Sequence, residues 1–281
     1  MKARPPRGRK VINLLVSLSS GFSALVGIIF LFWILLELLW RGVGALNWDL
    51  FFHLPTPPGV PGGGMVNAMV GTLVLTGAAT VVAVPLGLLA GIYLAEYADT
   101  SKIADFSRFS ANVLMGMPSI IVGVFAYTLV VVPLGKFSGY AGALALAILM
   151  LPIVTRTTED MLRLVPNTLR ESALALGLPR WKVTLAIVFR AAKAGLITGV
   201  LLAVARVSGE TAPLLFTALN SPYWFSGLGA PTPNLTVTIF NYAMSPYPDW
   251  QQQAWGASLL ITVGVLVVTL TARSILGGTK R

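Results

Sequence analysis

Arg206 and Glu210 are charged residues in a run of chain otherwise apolar enough to cross a bilayer, Ala203-Val-Ala-Arg-Val-Ser-Gly-Glu-Thr-Ala-Pro-Leu-Leu215. A charge at that depth costs about 2.5 kcal/mol or far more, so each needs a reason to be there. Their spacing of four puts both on one face of a helix, where they can pair and lower that cost. Pro213 cannot donate to the carbonyl of Gly209, so the spacing predicts a kink and an open acceptor beside Ser208, Glu210 and Thr211. Irregular backbone at membrane depth is stable only against protein or along a water-filled path. Arg206 offers a planar fork of donors suited to an oxyanion, and Glu210 would temper the positive field so that the anion can leave. The competing reading is a structural ion pair between helices.

Other candidates carry less. Arg156 follows Pro152 near the end of an apolar run and can face the same path, although a long basic side chain at a span end also reaches the interface by snorkelling. Glu37 and Arg41 form a surface pair at a spacing of four and receive no transport role. With no cysteine and one histidine, His53, disulfides, iron–sulfur clusters and thiolate zinc sites are excluded, and no metal or cofactor is expected on this chain.

These residues are positioned by membrane helices. The chain has 281 residues, 56% of them hydrophobic and 11% charged, with mean hydropathy +0.80, which leaves too little polar surface for a soluble globule. The sequence predicts an all-α, polytopic membrane protein with six spans over about 11–40, 66–95, 109–132, 139–154, 194–219 and 254–272. The basic stretch with Lys2, Arg4, Arg7, Arg9 and Lys10 precedes a run too long for a signal peptide, so residues 1–10 read as a cytoplasmic tail before a retained first span. Residues 41–64 hold one basic residue and 220–253 none, and both fall outside the cell. Arg156, Arg163, Arg170, Arg180, Lys182, Arg190 and Lys193 mark the inner side, and residues 277–281 form a second cytoplasmic tail. The net charge of +10 therefore marks one face of a membrane rather than nucleic-acid binding. Tyr223, Trp224, Phe225, Tyr242, Tyr247, Trp250 and Trp255, in and beside the second outer loop, suit a membrane interface or a platform for an outer partner. Gly87-x-x-x-Gly91 and Gly195-x-x-x-Gly199 would let helices pack closely, and Pro85 and Pro118 are candidate bends.

Within the inner loop 157–193 lies a polar island, Leu169-Arg-Glu-Ser-Ala-Leu-Ala-Leu-Gly-Leu-Pro-Arg-Trp-Lys182. Pro166 interrupts the preceding helix, Thr168 and Glu171 have the spacing of a capping box, Gly177 suits a left-handed stop, and Pro179 opens a further helix. A short bounded helix at the membrane surface suits docking into a groove of a partner. Glu171-Ser-Ala-Leu-Ala-Leu-Gly177 resembles the EAA loop of ABC-importer permeases, with serine at Ser172 where the common pattern has alanine.

Taken with Gly116-Met-Pro-Ser-Ile-Ile-Val-Gly123, Leu151-Pro-Ile-Val-Thr-Arg-Thr-Thr-Glu159, Ala205-Arg-Val-Ser-Gly-Glu-Thr-Ala-Pro213 and Ser245-Pro-Tyr-Pro-Asp-Trp250, the island makes nearly the whole chain resemble the PstA family. These are A-type permease subunits of high-affinity phosphate ABC importers. The resemblance implies a type I importer permease, 11–276, in the inner membrane, with both termini cytoplasmic. It assigns Arg206, Glu210 and Arg156 to a phosphate path. It assigns Glu171, Ser172, Ala173 and Gly177 to a coupling helix. The implied partners are a C-type sister permease, two ATPase subunits and an extracytoplasmic phosphate-binding protein. The sequence has no Gly-x-x-x-x-Gly-Lys-Ser/Thr loop, and Gly135-Lys136 lacks the surrounding pattern, so this chain is expected to be non-catalytic, with ATP and magnesium used by the partner ATPase. A permease for sulfate or molybdate is the nearest alternative, and an ATP-independent channel or a membrane scaffold the more distant ones.

Overall fold

The computed structural model describes residues 7–60, 62–98 and 101–277, and among these every regular element is helical. Lys2, Arg4, Lys280 and Arg281, on which part of the tail assignment rests, lie outside the described residues. Five helices are long and apolar enough to cross a membrane, and a bent pair supplies a sixth if counted as one span. They are α1 (Arg7–Ala45), α3 (Val66–Glu96), the pair α4 (Lys102–Gly116) and α5 (Ser119–Leu134), α6 (Gly139–Arg163), α8 (Arg180–Ser208) and α11 (Pro248–Gly277). Short helices fill the connections: α2 (Trp48–Phe52), α7 (Asn167–Ala175), α9 (Ala212–Leu215) and α10 (Leu235–Ala243).

The two proline candidates behave differently. Pro85 stays inside the continuous α3. Pro118 instead follows an extended Met117 (ψ 135°), the conformation that a proline favours in the residue before it, and α4 and α5 meet at 104°. The single span expected over 109–132 is thus a broken one, whose first half begins seven residues earlier at Lys102, capped by Ser101.

The core forms where α3, α6 and α8 press together, with Leu75, Ala79, Ala83, Leu146, Met150, Val154, Ala203 and Val207 all buried. Close approach is possible because glycines face bulk. A side chain at Gly87 or Gly91 would run into Val154 or Thr158 of α6, and one at Gly195 or Gly199 into Met161 or Thr157. By contrast, none of the most apolar stretch of α1 is buried within the chain. Only the C-terminal end of α1 packs, against α11, where Gly42 meets Leu259 and the Arg41 guanidinium lies 5.2 Å from the Trp255 ring centre.

The second outer loop is more than the expected exposed aromatic belt. Asn234 caps α10, accepting a hydrogen bond from the Val237 amide at 2.9 Å, and its amide group donates to the Leu219 carbonyl. Asn67 of α3 donates to the Ser221 and Tyr223 carbonyls. Amides at the start of α6 donate to the Leu228 and Ala230 carbonyls, filling positions that a helix start leaves open. The loop is sewn to the bundle, and α10 is buried along Leu235, Thr236, Val237 and Thr238. Tyr242 is buried and stacks on Trp250 with ring centres 4.3 Å apart, while Tyr223 and Trp224 remain exposed.

Candidate functional site

Halfway along α6, Leu149 and Ile153 face a cavity of about 100 Å³ that is also lined by Arg206 and Glu210. Leu114, Met115, Met117 and Ser119, on both sides of the α4–α5 break, close it. The space holds a few waters or a small ion.

The structure brings Arg206 and Glu210 to one cavity but does not pair them. α8 ends at Ser208, and Gly209 closes the last turn by donating to the Arg206 carbonyl. Glu210 therefore leaves the helical register that a spacing of four requires. The expected kink at Pro213 is a complete break one turn earlier, and Pro213 lies in the first turn of α9, where proline suits a helix start. Pro213 in turn packs on Gly123, which has no side chain to obstruct it. The Glu210 carbonyl is held by the Thr236 hydroxyl at 2.9 Å. Among the described residues, neither the Arg206 guanidinium nor the Glu210 carboxylate forms an ion pair or a side-chain hydrogen bond within the chain. All five guanidinium donors of Arg206 are open to an occupant of the cavity or to another chain.

Arg156 lies one turn further along α6, on the stripe of Leu149 and Ile153. Its side chain is partly exposed and runs toward the end of the helix. Its Nη1 donates to Glu159 Oε2 at 2.6 Å, and Nη2 lies 4.0 Å from Asp160.

The island forms α7, but its start differs from the expected capping box. Pro166 is the residue before the helix and Asn167 its first, so Thr168 is already inside, where its carbonyl accepts from the Ser172 hydroxyl at 2.7 Å. The stop is as expected: Gly177 takes φ +79°, its amide donates to Leu174, and the Leu178 amide reaches back to Ala173. Ala173 is buried against the bundle, whereas Glu171, Ser172, Leu174 and Leu176 face outward.

Sequence reasoning missed what fixes this helix. Arg170 donates from Nη2 to Glu96 Oε1 at 2.6 Å and to the Leu162 carbonyl at 2.7 Å, and from Nη1 to the Val165 carbonyl and Asn167 Oδ1. The end of α3 and the end of α6 are thereby tied to α7. The only available signal was a carboxylate closing an apolar run, with its partner 74 residues away.

Residues 83–277 match the family model of binding-protein-dependent transport system inner membrane components. Among solved structures, a chain of the MetNI methionine ABC transporter in an inward facing conformation aligns with a TM-score of 0.61 at 19% identity, covering 77% of this chain and 96% of that one. That likeness shows the fold. Helices, break and island together are those of a multi-pass ABC-importer permease, a membrane component that is not itself an enzyme. A phosphate transport system permease protein PstA of Yersinia pestis is 47% identical over 272 residues, covering 97% of this chain and 92% of that one. A protein of the same name from Haemophilus influenzae is 49% identical over 265 residues, covering 94% of each. The chain belongs to the PstA family.

Proposed function

We propose that this chain is the subunit through which inorganic phosphate enters the cytoplasm in an ATP-driven importer, working beside a C-type sister permease, an ATPase pair and an extracytoplasmic phosphate-binding protein. The observation that carries this reading is Arg206: an arginine with no partner among the described residues, at a cavity halfway along α6. Its fork of donors matches an oxyanion, and the relatives just described are named for phosphate transport. Glu210, on the same cavity, keeps the site from holding a doubly charged anion too firmly. Arg156 extends the positive path by one turn.

In this reading α7 is the coupling helix, with Glu171, Ser172 and the outward leucines meeting the ATPase. Ala173 and Arg170 carry its movement into α3 and α6. ATP and magnesium belong to the ATPase. The sister permease covers the α8 surface on which Arg206 opens, and the termini lie in the cytoplasm on the side marked by the basic loop. ATP can favour one permease state only through contacts that differ between the two states.

The test is labelled-phosphate uptake in cells lacking this chain, complemented with wild type or Arg206→Lys at matched expression and challenged with excess sulfate. Uptake that resists sulfate and falls with the lysine variant supports the proposal. Uptake that wild type restores only for sulfate or molybdate moves the assignment to those oxyanions. An unchanged lysine variant makes Arg206 a structural residue.

A further inference from the structure

Glu159 is fully buried, and three arginines converge on it. Arg108 Nε lies 2.7 Å and Arg163 Nη2 3.0 Å from Oε1, while Arg156 Nη1 lies 2.6 Å from Oε2. Two further carboxylates, Asp105 and Asp160, touch the cluster only from its exposed rim. A buried carboxylate with both oxygens occupied by charged donors is fixed in place, and its neutralisation would leave three like charges facing one another.

The arrangement reaches well beyond α6. Arg108 stands on α4, the first half of the bent span, and its Nη2 also donates to the Leu94 carbonyl at the end of α3. Six and seven residues along the same helix, Leu114 and Met115 form one wall of the Arg206 cavity. Leu149 and Ile153 of α6 form the facing wall, and Arg156 continues their stripe. Beyond Met117 the 104° break removes the helical continuity that would otherwise hold α4 in line with α5. One carboxylate thus sets the inner position of both cavity walls and the direction of Arg156.

We propose that Glu159 is a positioning residue for the pathway: through Arg108 it locks α4 against α6, and through Arg156 it aims a cation along the path. Its consequence for transport rests on the phosphate reading above, whereas the lock does not, and the experiment separates them. The chain has no cysteine, so spin labels go cleanly onto cysteines introduced at Phe106 of α4 and Tyr140 of α6, both exposed. Pulsed dipolar measurements on the assembled transporter then read the inter-helix distance. Glu159→Gln is expected to broaden and shift the distance distribution and to lower phosphate uptake per transporter by roughly tenfold, as a misplaced site does. Glu159→Asp keeps the charge and is expected to restore part of both. Arg108→Lys, which keeps the cation but loses the fork, serves if the glutamine variant does not assemble, and should broaden the distances likewise. Unchanged distances in the variants that assemble overturn the proposal whatever happens to uptake. Should wild type carry sulfate instead of phosphate, the functional reading falls while the distance result still decides the lock.

Discussion

The two arginine sites of this bundle are built on opposite terms. At Glu159 the protein answers its own charges: two carboxylates, Glu159 and Asp105, and the Leu94 and Ala98 carbonyls take up the donors of Arg108, and the cluster is complete within the chain. At Arg206 none of the described residues answers, although a carboxylate, Glu210, lines the same cavity. A satisfied buried cluster makes structure, while an unsatisfied cation at a cavity leaves its binding capacity to something that arrives.

The comparison breaks most readily at Arg206. Arg206→Ala is expected to reduce phosphate uptake by about 100-fold or more, since it removes the cavity's one unpaired cation among the described residues, while abundance and melting temperature of the purified complex stay close to wild type. A large loss of stability in that variant would put Arg206 in the same category as Glu159. Glu159→Ala should show the reverse order of effects: removing the buried partner shared by three arginines costs about 3–5 kcal/mol, seen as depleted protein in membranes and an earlier denaturation midpoint.

Next in size is a coupling defect. Gly177→Pro removes the amide that donates to Leu174 and imposes a φ near −65° where +79° is required. The expected result is several-fold less phosphate moved per ATP hydrolysed, with the two rates measured in the same proteoliposomes. Gly199→Ala forces a methyl group onto Thr157 at the α6–α8 contact and should cost about 1–3 kcal/mol of stability by thermal denaturation, without changing substrate preference. Smallest of all is Glu37→Gln: its pair with Arg41 is exposed, so a shift within about 0.5 kcal/mol is expected in the same assay.

Much of the helical framework was readable because its signals are local. Apolar runs of spanning length, a glycine at the end of α7 and paired glycines on α3 and α8 each speak through residues a few positions apart. The same locality explains the failures. A spacing of four between Arg206 and Glu210 means a shared face only if the helix persists, and Gly209 ends it. Thr168 and Glu171 have capping-box spacing, but with Pro166 at the cap position the helix starts two residues too early for Thr168 to serve. Arg108 and its partner Glu159 stand 51 residues apart, so nothing local marks them as a pair. The burial of α10 depends on Asn67 and Asn234 finding loop carbonyls, which nothing in their own neighbourhoods announces.

The unburied face of α1 bears on how the protein is made. This helix precedes α3, α6 and α8 in the chain, and its most apolar stretch is unburied among the described residues, so lipid or another subunit must solvate it throughout the subunit's life. α1 can therefore enter the bilayer on hydrophobicity alone, without waiting for its siblings. α8 carries Arg206 at a penalty of about 2.5 kcal/mol or more and has the weaker apolar window of the two, with mean hydropathy 1.8 against 2.5. In chain order the self-sufficient α1 thus comes before the difficult α8, which follows α3 and α6, the helices that receive its charge.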